Sequence, residues 1–160
     1  NANHSLANVF HQFFPSGSQY VLSDTAEVCT KLLCAMLLIA VLWKSKNIKD
    51  ELHRAGVFGA LTVVMFISPA YAYEHHLVLL LPATVIAWNQ WFQKRLPSWS
   101  ILLVCIGTIG IVWPLGWFRC ALRSYPEWAW FIKESKLIGV LLIGTLCWWS
   151  TFFSAESNEE

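Results

Sequence analysis

The sequence predicts an all-α, polytopic membrane protein with about five transmembrane helices and a short amphipathic outer helix near the amino terminus. Three observations point there. Of 160 residues, 56% are hydrophobic and 13% charged, with a mean hydropathy of +0.50, whereas roughly a quarter of residues are charged in an ordinary soluble domain. Apolar runs of helical length alternate with short polar gaps. The basic residues gather in a few of those gaps instead of forming a stripe, which with a net charge of +1 argues against a nucleic-acid partner.

Residues 1–24 are polar and mixed, and form the outer segment. Within them Leu6, Val9 or Phe10, and Phe13 recur at helical spacing, so residues 5–14 predict a short amphipathic helix ended by Pro15-Ser16-Gly17-Ser18. It is too short to span and lies on the membrane surface or over the protein's own outer face. The first span is 25–43, about 28 Å of helix against a hydrocarbon core of about 30 Å. Glu27 and Lys31, four apart, meet on one of its faces. Residues 44–54, with Lys44, Lys46, Lys49 and Arg54, read as a cytoplasmic loop.

The second span, 55–70, offers Gly56, Gly59 and Ala60 for close helix contacts, and Pro69 disfavours helical geometry at Ser68. The third, 77–92, is short and contains Pro82, as a kinked or partly re-entrant helix would. After Lys94-Arg95 come the fourth span, 99–117, with Gly107, Gly110 and Pro114, and the fifth, 137–153. All five belong to one transmembrane region, 1–160. The five cysteines show no CxxC spacing and read as small packing residues. An Asn1 start without Met and an acidic tail from Ser154 lead to the expectation of a carboxy-terminal piece of a longer protein.

With 44–54 inside, the inner loops hold six Lys or Arg, and the outer regions 1–24 and 71–76 hold none. The loop 118–136 breaks the pattern with Arg119, Arg123, Lys133 and Lys136. Its Tyr125, Trp128, Trp130 and Phe131 suggest the headgroup region, where the cations meet lipid phosphates. Three polar elements thereby converge on the outer side.

The chemistry concentrates in Glu74-His75-His76, a titratable gap between apolar runs. Such groups at a bundle edge are costly unless paired or used; a wetted headgroup-level role is the plainer alternative. Adjacent histidines do not chelate as an i,i+4 pair would, so a metal site would need Glu74 and one histidine joined by His4 or His11. Proton handling or phosphate contact suits histidine better.

Asn3-His4-Ser5-Leu6-Ala7-Asn8, then Ser68-Pro69, then Glu74-His75-His76 running into Leu77-Val78-Leu79-Leu80-Leu81-Pro82 resembles the carboxy-terminal part of glycosyltransferase family 87. This family of GT-C-type enzymes is related to polyprenol-phosphate-mannose-dependent α-1,2-mannosyltransferases. The recognisable motifs fall within residues 1–92. His4 stands where the family usually has Gln, and Tyr73 where it has Trp. The resemblance implies inverting transfer of a mannose-like sugar from a polyprenyl-phosphate donor to a glycan or glycolipid acceptor. It implies a multi-pass protein of the bacterial plasma membrane with an extracytoplasmic active face, and leaves the metal requirement open. His75 and His76, seconded by Glu74, would orient a catalytic Asp or contact phosphate, and Asn3, His4, Ser5 and Asn8 would bind sugar or phosphate. The catalytic Asp is expected on an outer loop outside this chain, leaving the chain alone inactive. Two rivals stand beside this. Ser5 is a good helix cap, and the whole chain could be a non-catalytic transporter segment or structural subunit.

Overall fold

The structure, a computed structural model, describes residues 5–16, 22–46, 48, 50–69, 74–113 and 129–153. Among them are six α-helices and one 3-10 helix. These are α1 (Leu6–Phe13), α2 (Asp24–Ser45), α3 (Glu51–Ile67), the 3-10 stretch Glu74–Leu80 running directly into α4 (Leu81–Phe92), α5 (Ser100–Val112) and α6 (Ala129–Phe153).

The fold is all-helical among the described residues, but the five-span expectation is corrected. Among the described residues one helix, α2, is long and apolar enough to cross a membrane by length and composition. Its 22 residues reach about 33 Å. The other expected spans fail for separate reasons. Asp50 caps α3, its side chain accepting the Leu52 N–H at 3.4 Å, so Glu51 to Arg54 become helix instead of loop and α3 stops at Ile67 after 17 residues. Ser68 keeps helical angles and donates its N–H to Val64 O, so the helix yields one residue closer to Pro69 than pre-proline sterics predict.

The expected 77–92 helix is divided. A 3-10 stretch precedes a 12-residue α4 in which Pro82 occupies the first turn, where its missing N–H costs nothing. The expected 99–117 span shrinks to 13 residues, about 20 Å of α5. Trp113, before Pro114, turns extended and ends it. The expected 137–153 span begins at Ala129 instead. It carries Glu134 and Lys136 into the protein, where both are buried, and the placement of Lys136 at lipid phosphates is corrected with it. Residues 114–128, with Arg119, Arg123, Tyr125 and Trp128 of the expected loop, lie outside the described residues, as do the side chains of Trp130, Phe131 and Lys133.

The helix α6 is the hub, packing on α2, α3, α4 and α5. It runs antiparallel to α3: Gly56 faces Ser150 and Thr151, and Gly144 faces Val63. It also runs antiparallel to α5, with Gly110 against Ser135 and Gly107 against Ile143. The tightest approach to another helix's backbone is at Gly139, where an added Cβ would lie 2.8 Å from Gly107 O and 3.0 Å from Ile111 N. The small-residue contacts expected at Gly56 and Gly59 are made, both against α6. Leu80, Val104, Val140 and Ile143 fill the core between these helices. On the outside lie Val28, Leu32, Met36, Ile39 and Trp43 of α2, together with Met65, Val85 and Leu102.

This packing gives the bundle two different ends. One gathers the start of α2, the end of α3, the 3-10 stretch, the end of α5, the start of α6 and α1. The other gathers the end of α2, the start of α3, the turn 93–99 and the carboxy-terminal turns of α6.

Candidate functional site at the amino-terminal end of α6

The helix α1 exists because Ser5 caps it. Its Oγ accepts the Asn8 N–H at 3.2 Å, and Ser5, Leu6 and Ala7 are buried while Phe13 stays exposed. The helix lies over the protein's own end, against α2. On one side the His11 Nδ1 accepts the Ser23 N–H at 3.1 Å, which leaves the ring proton to Nε2. Ser23 in turn caps α2 by accepting the Ala26 N–H.

On the other side α1 meets a carboxylate. Glu134, 4% exposed on α6, accepts the Gln12 Nε2–H at 3.1 Å and the Asn8 Nδ2–H at 3.4 Å. Buried carboxylates are tolerated where donors meet them, and two amides on one helix face meet this one. Two residues on, the Lys136 ammonium donates to Ile111 O at 3.0 Å and Trp113 O at 2.7 Å. It satisfies the last carbonyls of α5 and favours that helix terminus electrostatically.

Of the residues singled out from sequence, the structure brings Ser5 and Asn8 to this end, the first as a cap and the second as a donor to Glu134. The backbone of Glu74, His75 and His76 opens the 3-10 helix at the same end; their side chains, and Asn3 and His4, lie outside the described residues. Gln12, Glu134 and Lys136 were missed. The signal was the continuation of helical spacing from Leu137 back through Glu134 to Trp130, hidden by charges that read as loop. Glu27 and Lys31 pair at 2.6 Å as expected, on an exposed face where such a pair adds little stability.

A second polar cluster sits at the opposite end. Asp50 Oδ2 lies 2.8 Å from His53 Nδ1 and 3.4 Å from Arg95 Nη2, so the turn before α3 is clasped to the turn after α4. Gln90, 1% exposed, reinforces the clasp by donating to Leu52 O. Desolvation pushes the Asp50 carboxyl up, but the Leu52 N–H, the His53 ring and the Arg95 charge together outweigh it and hold the pKa below its ordinary value of 3.8.

Among the described residues no three of His, Cys, Asp and Glu gather as a metal site would require. No family model matches the chain, and no curated protein or solved structure matches it.

Proposed function

We propose that the chain is part of an integral membrane glycosyltransferase that moves a mannose-like sugar from a polyprenyl-phosphate donor to an acceptor hydroxyl at the extracytoplasmic end of the bundle. The observation that supports this reading is the docking of α1 on the first turns of α6 at the end of the bundle where the Glu74-His75-His76 backbone also opens the 3-10 helix. Both motifs of the family resemblance ride on those elements. Membrane placement draws on the length of α2 and on the apolar exterior, because contiguous apolar surface of this kind is rare on soluble monomers. Orientation draws on the basic turns at the opposite end.

Transfer needs a base for the acceptor hydroxyl and donors for the departing phosphate. In this reading the base is the Asp of an outer loop, and His75 or His76 orients it or meets the phosphate, with Glu74 as second partner. Asn3 and His4 hydrogen-bond the sugar or phosphate. Ser5 and Asn8 act differently: their polar groups are engaged in holding α1, so they shape the site from behind. Transfer from a polyprenyl-phosphate sugar, measured in membranes carrying the full-length protein, tests the reading. Loss of about 100-fold or more in His75→Ala or His76→Ala is expected. Undiminished transfer with both replaced removes it.

A structural-subunit reading is favoured by one observation, that Ser5, Asn8 and Gln12 all serve to dock α1. It expects the histidine variants to be silent and Glu134→Ala to loosen the assembly.

A further inference from the structure

At the end of α4 the chain leaves the helix through a left-handed residue, and that residue is a lysine. Lys94 has φ 56, the one positive φ at a non-glycine residue among those described. Its N–H donates to Trp91 O and the Arg95 N–H donates to Gln90 O, each at 2.9 Å. These paired bonds make a Schellman terminus, in which the position of Lys94 usually holds glycine, which has no Cβ to clash, or asparagine, whose side chain hydrogen-bonds locally. An uncommon backbone state held by its surroundings marks a side chain that serves some purpose.

The surroundings indicate which. The carboxylate nearest the turn, Asp50, is already taken by His53 and Arg95. Lys46, Arg54 and Lys94 are exposed around the clasp, and no described carboxylate pairs with them. Trp43, Phe92 and Trp99 are exposed at the same end, Trp99 edge-on to Trp149 at 6.3 Å. Exposed indoles and cations at one end of an apolar bundle match the level where a bilayer's headgroups begin. Unpaired cations there attract lipid phosphate.

We propose that Lys94, with Arg54 and Lys46, forms a recognition surface for anionic phospholipid headgroups. The inference rests on the membrane placement above and is independent of glycosyl transfer. The test uses the full chain in nanodiscs of phosphatidylcholine mixed with phosphatidylglycerol, with the retained lipids counted by native mass spectrometry. Wild type is expected to enrich phosphatidylglycerol. Lys94→Asn keeps a residue suited to the left-handed turn and lowers the enrichment about fivefold, and adding Arg54→Gln lowers it about 25-fold. Lys94→Gly raises the thermal midpoint in pure phosphatidylcholine discs yet still loses enrichment, a pairing that a lysine serving only the helix terminus would not give. Absence of enrichment in wild type, unchanged enrichment in the double variant, or displacement by inorganic phosphate overturns the proposal. A chain that stays folded and monodisperse without discs or detergent overturns the membrane placement itself; silent histidine variants in the transfer assay leave the proposal standing.

Discussion

Asp50 does three things with one carboxylate: it caps α3, orients the His53 ring and draws Arg95 across from the neighbouring turn. The pH dependence follows from its lowered pKa. The unfolded chain binds this proton more readily than the folded one, so the contribution is complete above about pH 4, the ordinary aspartate value, and is lost as pH falls through the lower folded value. Asparagine caps a helix as well as aspartate does, which makes Asp50→Asn a replacement of charge alone. Thermal midpoints in nonionic detergent should show wild type above Asp50→Asn at pH 6, with the gap closing below pH 4. A gap that stays constant to pH 2.5 would remove the ionic part of the clasp.

Between elements, glycine decides the distances. If the bundle sits in lipid as proposed, apolar burial drives its helices together only weakly, and close packing has to carry the association. Gly139 meets backbone atoms of α5 alone, which cannot move aside, whereas the two nearest atoms to Gly56 are the Ser150 and Thr151 side-chain hydroxyls, which can rotate, with the Cys147 backbone oxygen behind them at 3.0 Å. Gly139→Ala should therefore destabilise by about 1–3 kcal/mol despite the better helix propensity of alanine, and Gly56→Ala by less. Denaturation in mixed micelles checks the ranking, and equal effects would contradict it. The element boundaries were legible where a local signal acts alone. The apolar spacing of Leu6, Phe10 and Phe13 after Ser5 marked α1, and Gly56 and Gly59 marked a contact face. They were illegible where distant groups decide. Nothing near Lys136 in the chain announces that two carbonyls at the end of α5 await it, and nothing near Gln90 announces that Leu52 O awaits its amide. Charge read as a loop because its partner lay elsewhere in sequence.

For the whole molecule, the outer surface is the most informative part. Met36 sits mid-way along α2 and is well exposed. On a soluble protein Met36→Arg would be nearly neutral; in a bilayer a central arginine costs about 2.5–3.5 kcal/mol by insertion scales. Carbonate extraction of membranes expressing the protein should show the variant released and wild type retained, and equal behaviour would contradict a spanning α2. The candidate site was half legible at this scale. That the Ser5 helix and the Glu74 segment lie toward one end was expected from charge and span order, while the carboxylate that receives α1 was assigned to a loop. The 3-10 stretch Glu74–Leu80 has a consequence of its own. Seven residues rise about 14 Å in that geometry against about 10.5 Å as α-helix. The stretch acts as a shim: with Leu80 fixed in the core, it holds the Glu74 backbone about 3.5 Å higher than a continuous helix of the same residues would.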